Sequence, residues 1–393
     1  MRVLVLNAGS STLRFDIIDS DKANTLYSGN ITNFGNDAKL KLISKDTNGI
    51  IEQNIRCQNG VEGVGLIIKY IHEASIGYDA IGFRVVHGGS FSSHTLLSPA
   101  VLEQLSTYNA LAPIDNPVTL EAIKKCSTLT NRPIALIFDT VFFKTLAPLA
   151  YTYPVPLKWQ EYGVRKYGFH GLNHEYLVRS LGRYGYYEKV ITCHLGAASS
   201  VSAIMDGSAV DTSMGFTPMS GIMMATRSGD IDPAIDNYIM ERLNMSLEEI
   251  NYQLNYESGI KGLAGVSDIA EVIKLAEAGH KNAMLAIDMF VKKTIEFISS
   301  YYVFMGGCDA LVFSGGVGEN SPIIRQQIIK GLEVLGFKID DTANASNGSK
   351  INVEGTKPAI YVIPANEAMI IAGYTSSLVK NKSNFSNVEI LDI

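Results

Sequence analysis

The chain is poor in the features that mark several functional classes. Of its 393 residues only four are cysteines, Cys57, Cys126, Cys193 and Cys308, and no two form a C-x-x-C pair. Three lie in or beside apolar runs, which fits buried, reduced thiols better than a disulfide framework or a zinc site. Charged residues make up 18% and the net charge is −6, so there is no basic footprint for nucleic acid or an anionic membrane. No apolar run approaches the roughly 20 residues needed to span a bilayer. The N-terminus enters a short strand and a polar turn, without the apolar stretch of a signal peptide. There is no low-complexity segment, no G-x-x-x-x-G-K-[ST] loop and no G-x-G-x-x-G opening a helix. These absences lead to the expectation of a soluble cytoplasmic protein with no nucleic-acid or membrane partner.

What is present is apolar material for buried cores, 46% of 393 residues, a length beyond that at which single cores stop growing. Two domains are expected, and the alternation of strand-like and helix-like segments argues for an α/β fold. Two stretches share one plan. Val3-Leu4-Val5-Leu6 leads into Asn7-Ala8-Gly9-Ser10-Ser11-Thr12 and out through another apolar run. Val190-Ile191-Thr192-Cys193 leads into His194-Leu195-Gly196-Ala197-Ala198-Ser199-Ser200 and out to Asp206-Gly207. Each reads as a hairpin with a turn of small residues, which lets backbone N–H groups and hydroxyls crowd around an anion. The pair fits either a duplicated fold with a phosphate loop in each half or two unrelated hairpins.

Between these landmarks the spacing predicts a helix over 61–75 and a strand over 78–86. Asn116 suits a helix N-cap, with Pro117 at the first helical position. Residues 134–138 form an apolar strand stopping at Asp139, where ligands gather in open α/β sheets. Residues 145–156, with three prolines, have the composition of an interdomain linker. Residues 282–304 form a long amphipathic helix leading to a strand over 310–313 and a third glycine turn over 314–320. A last strand at 360–364 is followed by a helix from Ala368 and, beyond Lys380, a polar tail expected to fray.

Some single residues could carry chemistry. Arg84 and Arg227 lie in apolar, glycine-flanked segments, where a guanidinium is costly unless it meets an anion. For Arg227 an ion pair with Asp230 or Asp232 would serve equally. Asp139 suits a metal ligand or a helix N-cap. His170 suits a donor to developing negative charge or a satisfied core histidine. Glu367 suits a Mg²⁺ ligand or a first-turn acid stabilised by the helix dipole.

Taken together, the segments resemble the acetate kinase family, within the superfamily of acetate and sugar kinases, Hsp70 and actin. They are Asn7-Ala8-Gly9-Ser10-Ser11, Arg84-Val85-Val86-His87-Gly88-Gly89, Phe138-Asp139-Thr140, Tyr167-Gly168-Phe169-His170-Gly171, Asp211-Thr212-Ser213-Met214-Gly215, Thr226-Arg227-Ser228-Gly229-Asp230-Ile231-Asp232-Pro233, Gly315-Gly316-Val317-Gly318-Glu319-Asn320 and Asn366-Glu367. They run in the family's order over nearly the whole chain.

The resemblance implies an α/β fold of two ribonuclease-H-like domains with duplicated cores and a cleft between them. One would comprise residues 1–145 plus 370–393, the other residues 150–368. It implies reversible, direct in-line phosphoryl transfer between ATP and a short-chain carboxylate, with Mg²⁺, which Mn²⁺ can replace. Arg84, Asp139, His170 and Arg227 would be catalytic. Arg84, Val86, Ile114, Phe169 and Pro218 would bind the acyl substrate. Asn7, Ser10, Thr12, Arg14, His194, Gly196, Ala197, Ala198, Gly315, Gly316, Gly318 and Asn320 would bind nucleotide phosphates. Asn7 and Glu367 would place the metal. The family's homodimer is carried over in the same way.

The chain also departs from the family. Its usual His-Leu-Gly-Asn-Gly turn has Ala197 and Ala198 in place of Asn and Gly, which removes an amide and adds a Cβ where positive φ is expected. Asp115 replaces a His near an anion site, Phe143 replaces another His, Arg14 stands for a Lys, and Ala270 falls where an Arg is usual. With the acyl side intact and the donor side eroded, two alternatives accompany ATP-dependent transfer. One is the same acyl chemistry with another donor such as pyrophosphate. The other is a nucleotide- or acyl-phosphate-binding sensor without turnover.

Overall fold

The computed structural model describes residues 1–9, 12–45, 47 and 49–381. They divide into two compact units, one of residues up to Val141 together with those from Asn366 onward, and the other Phe142–Ala365.

The first unit is built on an eight-stranded sheet of order β5-β4-β3-β2-β1-β6-β8-β7. The strands are β1 (Arg2–Ala8), β2 (Thr12–Asp19), β3 (Asn24–Thr32), β4 (Gly35–Ser44), β5 (Ile50–Cys57), β6 (Ala80–Val85), β7 (Thr95–Leu96) and β8 (Ile134–Phe138). β1 pairs antiparallel with β2 and parallel with β6, which pairs parallel with β8. Val3, Leu4, Val5 and Leu6 are all buried, so β1 reads as a continuous apolar run because both faces are covered. Leu4 and Leu6 join Phe15, Phe83 and Phe138 in a core with Val64, Ile67 and Ile123, from the helices Gly60–Glu73 and Asn116–Ser127. The opposite face receives the helix Glu367–Asn381, and a Cβ on Gly82 would run into Thr375 and Ile371 of that helix.

The second unit carries a five-stranded sheet of order β11-β10-β9-β12-β13. Its strands are β9 (Lys189–Leu195), β10 (Ser199–Met205), β11 (Ser208–Thr212), β12 (Ala310–Ser314) and β13 (Ala359–Val362). β9 pairs antiparallel with β10 and parallel with β12, which pairs parallel with β13. This is the plan of β3-β2-β1-β6-β8 in the first unit, so the two small-residue hairpins are the same element of a duplicated ribonuclease-H-like core. One face packs on the helix Lys281–Phe304 through Ile287, Phe290 and Ile298. The other face is polar along its middle and meets the helix Gly171–Leu181.

All four cysteines are free, and burial pushes the thiols of Cys126 and Cys308 up to about 12. Cys57, Cys126 and Cys193 are buried as expected, and Cys308 is half-buried.

Three local expectations are corrected. Asn116 is the first helical residue rather than the cap. Its amide instead donates to His87 O (2.9 Å) and its Oδ1 accepts from His87 N (3.1 Å), a tertiary use that outcompetes capping. Residues 145–156 are not a free linker: Thr145 Oγ1 donates to Ala209 O (2.7 Å), and Leu146 is buried against Phe143 and Ala209. Pro148 starts the short helix Pro148–Tyr151, which packs beside β11. The third glycine turn is itself helical, Gly315–Asn320.

Candidate active site

In the first unit the strand register lines up charge. Asn7 faces Arg14 across β1 and β2, and continuing the β1–β6 register one residue past Leu6–Phe83 sets Asn7 beside Arg84. These side chains lie on the sheet face that the helix Glu367–Asn381 covers. Asp139 follows directly on β8, fully buried. Its carboxylate accepts from Arg84 Nη2 at 2.6 Å and from Nε at 3.2 Å and 3.3 Å, a two-pronged ion pair. Burial works against the Arg84 cation, but the Asp139 carboxylate outweighs it, with Glu367 and Asp115 adding to it, and the guanidinium is held above its ordinary range. The Asp expected to alter this anion site therefore does reach Arg84 electrostatically.

Glu367 opens its helix, where a carboxylate complements the positive helix end. It lies near Asp16 as well as Arg84; burial, with Glu367 adding, raises the Asp16 carboxyl above its usual range. Asn7 and Glu367 supply an amide oxygen and a carboxylate, hard oxygen donors that suit a Mg²⁺ retaining most of its waters. Gly9 N donates to Thr12 O (2.9 Å), closing the first hairpin turn; Ser10 lies outside the described residues. Val86 and Ile114 are half-buried in this unit, and Phe169 (buried) and Pro218 (half-buried) belong to the other.

In the second unit His170 caps the helix Gly171–Leu181 in the left-handed region, at φ 56°, an uncommon conformation for a non-glycine residue. Its ring stacks on His194 with centroids 4.3 Å apart. His170 Nδ1 lies 2.8 Å from Ser200 Oγ, and the same hydroxyl lies 2.7 Å from His174 Nε2. His174 Nδ1 lies 2.7 Å from Thr192 Oγ1. Burial, with His194 nearby, pushes His174 well below the usual histidine range, so it is uncharged. Asn173 Nδ2 lies 2.7 Å from His194 Nδ1 and 3.3 Å from Ser314 Oγ. The register explains the gathering: Ser200, His194 and Ser314 are direct cross-strand neighbours on one face.

The donor-side hairpin is held by one contact of its own and one from outside it. Gly196 N and Ser199 Oγ are 3.2 Å apart, and Ala197 O accepts from Ala225 N at 3.1 Å. Neither Ala197 nor Ala198 has positive φ, so the expected backbone penalty at Ala198 is not there. Gly315 does have positive φ, 79°, and a Cβ on it would fall 2.6 Å from Leu195 O. Glycine is what lets the helix Gly315–Asn320 start against the end of β9. Gly316 and Gly318 lie on the same side, near Gly196 and Leu195 respectively. Asn320 donates to Gly316 O (2.9 Å), and Glu319 accepts from Gly315 N (2.8 Å) and Ala365 N (2.9 Å). Ala270 gives its N–H to Asp268, the cap of helix Ile269–Glu277.

Arg227 is half-buried, and its Nη1 donates to Pro218 O (3.3 Å). Asp230 Oδ1 accepts from Gly221 N (2.8 Å) and Asp232 Oδ1 from Ala234 N (2.8 Å), so both carboxylates serve the backbone. The Arg227 loop is held from outside by Ser258 N to Thr226 O (3.0 Å) and Ile260 N to Met224 O (2.9 Å).

The sequence reading missed His174, Ser200, Thr192 and Asn173. The signal was there: His170 and His174 are four apart at a helix start, and Thr192 and His194 alternate along a strand. Phe143, noted only as a replaced His, is buried edge-on to His174, with ring centroids 6.0 Å apart.

The comparisons agree on one group of proteins. A family model described as the acetokinase family matches residues 2–373. The chain is 38% identical over 398 residues to an acetate kinase of Carboxydothermus hydrogenoformans, covering 97% of this chain and all of that one. A propionate kinase structure from Francisella tularensis superposes with a TM-score of 0.91 at 36% identity, over 96% of this chain and 99% of that one. An acetate kinase structure from Porphyromonas gingivalis gives 0.86 at 32% identity, with the same coverage.

Proposed function

The chain belongs to the acetokinase family, and from that premise we propose that it phosphorylates a short-chain carboxylate from ATP, reversibly and with Mg²⁺. It is a kinase whose acceptor is a carboxylate. The observation that carries the residue assignment is Arg84 fastened to buried Asp139, on the sheet face that also holds Asn7 and meets Glu367.

A carboxylate oxygen attacks the terminal phosphorus in line. The new acyl O–P bond forms as the P–O bond to ADP breaks, and the electron pair leaves with ADP. The carboxylate is already ionised, so no side chain deprotonates it. What the site must supply is alignment and charge neutralisation. Arg84 offers N–H groups beyond those held by Asp139, and Arg227 offers a second guanidinium; together they clamp the carboxylate and the moving phosphoryl group. His170 donates to the equatorial oxygens. Each well-placed donor contributes ~3 kcal/mol, about 10²-fold in rate. Val86, Ile114, Phe169 and Pro218 meet the alkyl end. Asn7 and Glu367 would hold Mg²⁺, which would supply neutralisation of phosphate charge.

The phosphate-turn residues Ser10, Thr12, Arg14, His194, Gly196, Ala197, Ala198, Gly315, Gly316, Gly318 and Asn320 serve the donor. Ala197, which has no side-chain amide, keeps a second donor such as pyrophosphate in play. No described helix is long and apolar enough to cross a membrane; the location proposed with the family reading is the cytoplasm. A homodimer is the assembly proposed, and light scattering checks it.

The test incubates the protein with acetate, propionate or butyrate, Mg²⁺ and ATP, and traps acyl phosphate with hydroxylamine. Acyl hydroxamate with ATP is expected. Product with pyrophosphate alone changes the donor, and no product with any acid or donor overturns the reading in favour of a sensor.

A further inference from the structure

We propose that His174, acting through the Ser200 hydroxyl, is a positioning residue that fixes His170 as the tautomer with its hydrogen on Nε2. This rests on the reading of His170 as a donor to the transferring phosphoryl group.

The argument is an accounting of hydrogens in one buried chain: Thr192 Oγ1, His174 Nδ1 and Nε2, Ser200 Oγ, His170 Nδ1, with neighbours 2.7–2.8 Å apart. Thr192, His174 and Ser200 are fully buried. An uncharged imidazole has one N–H and one lone pair, and each hydroxyl has one hydrogen to give. A third arrangement, with both imidazoles donating to Ser200, leaves the buried Ser200 hydrogen without an acceptor in the chain, so two directions remain to be weighed.

In one direction Thr192 donates to His174 Nδ1, His174 Nε2–H donates to Ser200, and Ser200 donates to His170 Nδ1. Every hydrogen between Thr192 and His170 Nδ1 has an acceptor, and His170 keeps its own on Nε2, outside the buried chain. In the other, His170 Nδ1–H donates to Ser200, Ser200 to His174 Nε2, and His174 Nδ1–H to Thr192. The Thr192 hydroxyl hydrogen must then find another acceptor, and among the described residues His174 is its hydrogen-bond partner. Leaving a buried donor unmet costs more than a typical hydrogen bond returns. The first direction is the one that closes.

The functional consequence follows from geometry. With Nδ1 occupied as an acceptor, Nε2–H is the remaining polar atom of His170 and a donor only, as charge on phosphoryl oxygens requires. A second proton on Nδ1 would reverse the whole chain. The ring of His194, itself held at Nδ1 by Asn173, stacks on His170 and fixes its plane.

Residue-specific ¹⁵N NMR of the histidine rings in the wild-type protein is the direct test, and it needs no activity. His170 and His174 are both expected as Nε2–H tautomers at neutral pH; an Nδ1–H or doubly protonated His170 overturns the proposal. Kinetics supplies the second arm. His174→Phe removes the donor to Ser200 and is expected to lower kcat roughly 10²-fold with KM changed less than about three-fold. His174→Gln, whose amide can still donate to Ser200, should recover most of kcat. Combining His174→Phe with Ser200→Ala should be no worse than the poorer single variant. Unchanged kcat in folded His174→Phe, or losses that multiply, overturns it. If the phenylalanine variant does not fold, Ser200→Ala and the wild-type spectrum still decide. Wild-type protein that makes no acyl phosphate counts against the proposed function, and leaves the tautomer measurement standing.

Discussion

Asp139 is fully buried, yet Arg84, on the neighbouring strand, holds it at 2.6 Å through Nη2 and at 3.2 Å through Nε. The pair is asymmetric, because Arg84 keeps 16% of its side chain exposed while Asp139 keeps none. Removing the cation takes the guanidinium from a fully buried carboxylate, and removing the anion leaves a guanidinium that keeps partial exposure. Arg84→Ala should therefore cost about 3–5 kcal/mol of stability in urea unfolding, and Asp139→Asn distinctly less. Both should abolish measurable acyl phosphate formation. Equal stability losses would refute the asymmetry.

The donor turn is tested by restoring what it lacks. Ala198 has no positive φ, so Ala198→Gly should bring no gain in ATP affinity and lower stability by about 0.5–1 kcal/mol. Ala197 is exposed, and only its carbonyl is used, by Ala225 N. Ala197→Asn should lower KM for ATP roughly 3- to 10-fold, the worth of one hydrogen bond. Steady-state kinetics with acetate fixed separates the two.

Stability should depend on pH through His174. Its folded pKa lies well below the ordinary 6.5 because it is buried. Below that value the unfolded chain takes up a proton that the folded chain refuses. Its contribution is thus complete above 6.5 and is lost as pH falls toward the folded value, at about 1.4 kcal/mol per pH unit. Urea titrations from pH 7 downward should show this slope, and His174→Gln should flatten it by that amount.

Gly259 locks the Arg227 loop. Its φ is +61°, and a Cβ there would run into Met224 O and lie 2.5 Å from Arg227 O. Gly259→Ala should lower kcat at least 10-fold by displacing Arg227, with about 2 kcal/mol lost in stability. Gly279→Ala, also at positive φ but with open space around it, should cost about 1 kcal/mol and leave kcat unchanged. If the two variants behave alike in kcat, the close approach does not position Arg227.

Much of the fold was legible because its signals are local. Apolar runs such as 3–6 and 310–313 need no partner to read as strands, while the small-residue turns at Asn7 and His194 fitted a duplication and two unrelated hairpins equally. The two hairpins do occupy the same place in the two sheets. Asn116 was misread for the opposite reason: capping is a local preference, and the buried backbone of His87, far off in sequence, claimed its side chain. Residues 145–156 failed likewise, since prolines mark a linker and a helix start equally well.

By itself, the sequence determined which residues are chemically unusual: Arg84 and Arg227 among apolar neighbours, Asp139 past a strand, His170 before a glycine. Side-chain type and local context carry that information. Only the tertiary structure decided who meets whom. Register placed Asn7 between Arg14 and Arg84, and it set Ser200 beside His194 and Ser314. Packing of the helix Gly171–Leu181 then brought His174 onto Ser200. Hydrogen bonds and ion pairs act over about 3 Å, and sequence separation says nothing of that distance until strands pair and helices dock.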